Sequence, residues 1–242
     1  MTDLHGLTKN SMLLLAVDTS GRNGSIALAE CGSGDACNVL EVVPLEGGTF
    51  SAQLVPQVAA LLARHGFDKK AIGGFAAASG PGSFTGLRVG LAAIKALAEI
   101  FGKPIAQVSL LEAIAANGSL AERTLAALDA GRGEIYAGEY EGAALTPRGE
   151  RLLTVAEFLA SAEGSTVVSP DESVLNAAQA AGLQTREVER PRSDAVARLG
   201  WKKIQAGTIV SPEALEANYI RRSDAEIFSA PARPSPADKA PA

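Results

Sequence analysis

Asp18 and Asp129 are the residues of this sequence best placed for chemistry, because each closes an apolar run, Leu13-Leu14-Leu15-Ala16-Val17 and Leu125-Ala126-Ala127-Leu128. A carboxylate at the end of a buried strand can hold a hydrated divalent cation beside a nucleotide phosphate. It is also an ordinary turn former. Between the two lies Ser79-Gly80-Pro81-Gly82-Ser83-Phe84-Thr85-Gly86-Leu87-Arg88-Val89-Gly90. A glycine-rich turn ahead of a helix can aim backbone N–H groups and a helix N-terminus at an anion. The run is not a Walker A loop, since no Gly-Lys-Ser/Thr follows, and its third glycine is one residue late for a dinucleotide fingerprint. Asp18, Thr19, Ser20, Gly80, Gly82 and Asp129 thus form a candidate nucleotide site. As structure alone, Gly80 and Gly82 supply backbone freedom, Ser83 caps a helix, and Gly86 and Gly90 permit close packing. No third carboxylate or neighbouring Lys completes a phosphoryl-transfer site. His5 and His65 are the only histidines, so neither a metal-binding pair nor a Ser-His-Asp triad assembles. No metal and no cofactor are expected.

The elements that must position these residues follow from hydrophobic periodicity. Strands are expected at 12–17, 25–29 and 39–43, then a one-sided amphipathic helix at 51–65 with Leu54, Val58 and Leu61 on its apolar stripe. A strand at 72–78 leads through the glycine-rich turn into a helix at 84–101, stopped by Gly102 and Pro104, and a strand at 105–108. The second half opens with strands at 124–128 and 134–140, followed by helices at 155–162, 172–181 and 193–206 and a strand at 166–169. Asp18-Thr19-Ser20-Gly21-Arg22 and Asp129-Ala130-Gly131-Arg132 occupy matching positions after their strands, a weak internal duplication. Residues 1–11 read as a frayed extension. From Ser229 the composition falls to Ala, Pro, Ser and a few charges, which cannot bury enough apolar surface to offset chain ordering, so a disordered tail is expected.

Composition narrows the function classes. With a length of 242 residues the chain can build one large α/β domain or two lobes. A formal net charge of -5 removes the electrostatic footprint of an independent nucleic-acid binder. The run 12–17 falls far short of the roughly 20 apolar residues that cross a bilayer, so a soluble cytoplasmic chain without membrane contact is expected. Cys31 and Cys37 match no zinc spacing and read as reduced thiols.

The helix at 84–101 carries more apolar surface than one sheet can cover. Leu87, Leu91, Ile94, Ala98 and Phe101 form one stripe, Gly86, Gly90 and Ala93 a second of small residues, and Arg88, Lys95 and Glu99 a narrow polar strip. Such a helix must be covered on more than one side. The second cover is either the chain's own helix at 51–65 or another protein.

The segments Leu13 to Ser20, Gly80 to Gly90, Val108-Ser109-Leu110, Leu128-Asp129-Ala130 with Glu134-Ile135-Tyr136, and Tyr219-Ile220-Arg221 together resemble the TsaB family, also called YeaZ. The likeness spans residues 12–228 and is densest in the first half. It implies an α/β fold of the actin-like (ASKHA) type, two ribonuclease-H-like lobes of mixed sheets flanked by helices, divided at 12–118 and 119–228. It also implies a non-catalytic role in threonylcarbamoylation of the adenosine beside the anticodon, in tRNAs that read codons starting with A. In that family a TsaD-type subunit performs the transfer and a TsaE-type ATPase assists. The TsaB-like subunit docks through the helices of its first lobe, and some members form a homodimer through the same surface. The residues this implies for docking are Leu54, Val58, Leu61, Gly86, Arg88, Val89, Gly90, Ala93 and Lys95, with tRNA reached indirectly. A His common in the family before the first helix is replaced here by Phe50. The other class kept open is an actin-like small-molecule kinase or ATPase.

Overall fold

The computed structural model describes residues 11–118 and 122–221; the extension before Ser11 and the tail from Ser229 lie outside them. The chain opens with β1 (Met12–Asp18), β2 (Gly24–Cys31) and β3 (Cys37–Leu45). Then come α1 (Phe50–Arg64), a 3-10 turn at Lys69–Ala71, β4 (Ile72–Gly80), α2 (Phe84–Phe101), β5 (Ile105–Ser109) and α3 (Leu110–Gly118). The second half repeats that order with β6 (Arg123–Gly131), β7 (Glu134–Glu141), β8 (Thr146–Thr154), α4 (Val155–Ser161), β9 (Thr166–Ser169), α5 (Glu172–Ala180), β10 (Gln184–Glu187) and α6 (Ser193–Gln205).

Each half folds into a five-stranded sheet, ordered β3-β2-β1-β4-β5 in the first and β8-β7-β6-β9-β10 in the second. In both, the first three strands form an antiparallel meander and the last two add in parallel. The duplication read from the two Asp turns is therefore a duplication of topology, and the architecture is the two-lobed actin-like α/β fold.

Strand β1 is apolar from Met12 to Val17 because both its faces are covered. Leu13, Leu15 and Val17 enter a core shared with α1 and α2, while Leu14 and Ala16 enter a second core on the other side. That second core joins the halves: α3 packs on β6 and β7 of the second sheet, and α6 packs back across the first sheet. Helix α6 can lie so close because position 200 is glycine; a Cβ there would sit 2.4 Å from that of Ala76. The Trp201 indole, donating to the Gly34 carbonyl at 2.9 Å, fixes α6 to the β2–β3 turn.

Helices α1 and α2 lie side by side on the opposite face of the first sheet. Ser83 caps α2 by accepting from the Gly86 N–H at 3.3 Å, and Gly102, at φ 60°, ends it in the left-handed conformation. Among the described residues no helix is long and apolar enough to cross a membrane. Cys31 and Cys37 are free thiols placed opposite each other across β2 and β3.

Candidate functional site

The end of β1 brings Asp18 into a cleft of about 300 Å³ between the lobes, lined also by Ser20, Leu110, Ile114, Leu128, Arg190 and Arg192. Asp18 is buried, and its Oδ1 accepts from the Ser20 N–H at 2.9 Å and the Ser20 hydroxyl at 2.5 Å. Burial pushes its carboxyl above the usual carboxylate range, against the opposing pull of the two Ser20 hydrogen bonds and of Arg190. Asp129 is tied to its own lobe: Oδ1 accepts from the Gly131 N–H at 2.7 Å and Oδ2 from the Ser173 hydroxyl at 2.9 Å. Its N–H donates to Asp171 at 2.9 Å, and Asp171 pairs with Arg190. Both aspartates are therefore engaged in holding the turns that follow β1 and β6.

The glycine-rich run is packed against the chain itself. The Ser83 N–H donates to the Ser20 carbonyl at 2.6 Å. A Cβ at Gly82 would fall 2.4 Å from that oxygen, one at Gly86 2.1 Å from the Thr19 carbonyl oxygen, and one at Gly90 2.2 Å from the Thr19 hydroxyl. These glycines admit the β1–β2 turn to the flank of α2. Gly80 ends β4 at φ 108°, a conformation that favours glycine. The structure thus brings Asp18, Thr19, Ser20, Gly80 and Gly82 together, while Asp129 is held among Gly131, Asp171 and Ser173 of the second lobe. Among the described residues no group of three His, Cys, Asp or Glu side chains is placed to hold a metal ion. His65 is paired with Glu41 at 2.8 Å.

The pKa of Asp18 has a measurable consequence. Because its folded-state value lies above the unfolded one, the folded chain holds the proton longer, and stability falls as pH rises from the ordinary carboxylate pKa through the raised one. Asp18→Asn keeps an Oδ1 acceptor for Ser20 and abolishes the ionisation. Its melting temperature should exceed the parent's at neutral pH, the gap closing as the parent carboxyl becomes protonated in acid. Identical melting curves at neutral pH would mean that burial of Asp18 carries no such cost.

A network absent from the sequence reading lies on the other side of the interlobe core. Glu150 of β8 accepts from the Tyr140 hydroxyl at 2.7 Å, the Ser109 hydroxyl at 2.5 Å and the Asn218 side chain. Burial, then the Glu150 charge, raises the Tyr140 pKa, so the phenol stays protonated and donates. Its members come from four separate segments, and no spacing could have grouped them.

The family model described as TsaD, tRNA N6-adenosine threonylcarbamoyltransferase, matches residues 42–211. The chain belongs to this family. It is also similar to proteins named TsaB (YeaZ). The tRNA threonylcarbamoyladenosine biosynthesis protein TsaB of Bacillus subtilis is 34% identical over 131 residues, 54% of this chain and 56% of that protein. TsaB of Escherichia coli is 36% identical over 135 residues, 54% and 55% respectively. The chain spans about half the length of the curated relatives it matches. The solved structure of YeaZ from Pseudomonas aeruginosa shares the fold at a TM-score of 0.64 and 23% identity, covering 86% of this chain and 99% of that one. A second Pseudomonas aeruginosa structure, described as similar to peptidase YEAZ, gives 0.67 and 24%, with 87% and 100% covered.

Seen against the TsaB resemblance, several expected docking residues point inward. Leu54, Val58 and Leu61 are buried under α1, and Gly86 and Gly90 are covered by Thr19. The second cover expected for α2 is thus supplied largely by its own chain, through α1 and the β1–β2 turn. Val89, Ala93 and Lys95 are half-buried and Arg88 is exposed. Phe50, in place of the family's His, is buried against Gly24 and Gly86. Facing outward instead are Ala52, Val55 and Ala59 of α1 and Ala92, Ala96 and Ile100 of α2, with Val55 57% and Ile100 72% exposed.

Proposed function

We propose that this chain is the non-catalytic subunit that binds and supports a TsaD-type threonylcarbamoyltransferase. The reaction served is threonylcarbamoylation of the adenosine beside the anticodon, in tRNAs reading codons that start with A. The observation that carries this reading is the outward face of α1 and α2, which exposes Val55 and Ile100 among alanines on two adjacent helices of a TsaD-family chain. Two large apolar side chains exposed on neighbouring helices support a protein interface on this face. The engagement of Asp18 and Asp129 in local hydrogen bonds supports the non-catalytic part of the reading. The TsaE-type ATPase joins through the TsaD-type subunit, and a homodimer through the same face competes with that partner.

Reconstitution tests this directly. Threonylcarbamoyladenosine should form on tRNA when an activated threonylcarbamoyl donor and the TsaD-type and TsaE-type subunits are supplied together with this chain, and should be lost when the chain is left out. The chain alone should neither modify tRNA nor turn over ATP. Steady ATP hydrolysis by the purified chain, abolished by Asp18→Asn, would instead establish the kinase or ATPase class.

A further inference from the structure

Segments that carry the family likeness but have no place in the docking role converge on one cleft. Pro81, Gly82 and Phe84 at the start of α2, Gly131, Arg132 and Tyr136 around the β6–β7 turn, and Tyr219, Ile220 and Arg221 line an open cleft of about 490 Å³. That is within the size range of small-ligand pockets, roughly 300–1,000 Å³. Its wall carries Arg132 and Arg221 and no carboxylate, in a chain whose net charge is -5. The two cations differ. Arg221 is held by Glu134, with its guanidinium 5.8 Å from the Tyr136 ring centroid. Arg132 makes no ion pair or hydrogen bond among the described residues. It also adopts φ 58° between Gly131 at 70° and Gly133 at 74°. The positive φ values of Arg132 and Gly133 belong to the two-residue turn of the β6–β7 hairpin, which sets the Arg132 side chain at the rim of the cleft.

The aromatic half of the cleft is built as firmly. Tyr219 is 39% exposed, its ring 4.9 Å from that of Phe84. The Arg88 guanidinium lies 3.7 Å from the Phe84 centroid and donates to the Tyr219 hydroxyl at 3.1 Å. Ring surfaces beside unpaired or lightly paired guanidinium groups are how proteins hold the nucleotides of a single strand, the base by stacking and the phosphate by charge. We infer that this cleft binds one nucleotide unit of a single-stranded RNA, with its base against Tyr219 and Tyr136 and its phosphate at Arg132. Such a contact adds a direct RNA site to the docking role and does not depend on it. The overall negative charge confines it to this local patch.

Fluorescence anisotropy of a fluorescein-labelled oligoadenylate titrated with the full chain tests the site without any partner. Tyr219→Ala should weaken binding about tenfold, within the range that loss of one stacked base costs, and Arg132→Gly should weaken it at low salt by removing one phosphate contact. Arg132→Gly should also flatten the dependence of log affinity on log salt by about 0.7, the share of one single-strand phosphate. It places glycine at a positive φ, so its melting temperature should not fall. Tyr219→Phe keeps the ring and should bind like the parent. Displacement of the oligomer by adenosine 5′-monophosphate would support recognition of a single nucleotide unit. Absence of oligoadenylate binding, or parental affinity in both weakening variants, overturns the inference. Unchanged RNA affinity with lost co-elution of the TsaD-type subunit would make the cleft a protein site and overturn it as well. Either failure leaves the reconstitution result untouched.

Discussion

Gly86→Ala should be among the most damaging single-methyl additions in this protein. The new Cβ would lie 2.1 Å from the Thr19 carbonyl oxygen and 3.3 Å from the Phe50 ring. A backbone oxygen cannot rotate away, so relief requires moving the β1–β2 turn or lifting α2 from β1. Overpacking of this kind costs about 3 kcal/mol at the upper end of its usual range, which in a chain of this size lowers the melting temperature by roughly 6–12 °C. Gly90→Ala meets the Thr19 hydroxyl at 2.2 Å, an atom that can turn aside, so its effect should be smaller. Gly90→Arg must bury a long cation where Thr19 now packs and should unfold the first lobe. Thermal melts of the three variants check the order: Arg at 90 worst, Ala at 86 next, Ala at 90 mildest. A parental melting temperature for Gly86→Ala would mean that the turn moves freely and that these glycines do not lock it to α2.

The same glycines show where sequence reading stops. That Gly86, Gly90 and Ala93 form a stripe of small residues is legible from spacing, but spacing cannot say whose atoms fill the space beside them. Here they are largely those of Thr19, brought to α2 by the β1–β2 hairpin. Most strands and helices were legible because each has one dry face with a regular period, as in α1, or is short and apolar up to its last residue, as in β1. The failures share a cause. Helix α3 is dry on nearly every side, with Leu110, Leu111, Ala113, Ile114 and Ala115 all buried between the lobes, so it has no polar face to reveal its period. Strands β8 and β10 lie at sheet edges, are largely exposed, and carry polar residues that read as loop. For the candidate site, Asp18 closes β1, Asp129 lies in the last residues of β6 and Gly82 falls between β4 and α2, but a strand-end position says nothing of what a carboxylate faces. Their partners, Ser173 and Arg190, were invisible because only the folded second lobe brings them near.

Ala96→Arg and Ala92→Arg should leave the fold intact and abolish co-elution with the TsaD-type subunit. Both alanines are exposed, one helical turn apart on α2, and share their face with Ile100. Arginine is nearly as good a helix former as alanine, and both positions are exposed among the described residues. The melting temperature should therefore stay close to the parent's, in direct contrast to Gly90→Arg on the inward side of the same helix. Against a docked partner the outcome reverses, because a guanidinium pressed into a small-residue surface loses its water without gaining a counter-charge. That costs several kcal/mol, and at about 1.4 kcal/mol per tenfold the partner affinity should drop by at least about a hundredfold. Val55→Glu should behave alike, since Val55 is 57% exposed on α1, the helix packed beside α2. Size-exclusion co-elution and circular dichroism on the same samples separate binding from folding. If all three variants fold and still bind, the docking face lies elsewhere on the molecule. If Ala96→Arg unfolds, α2 is more deeply covered than its exposure indicates.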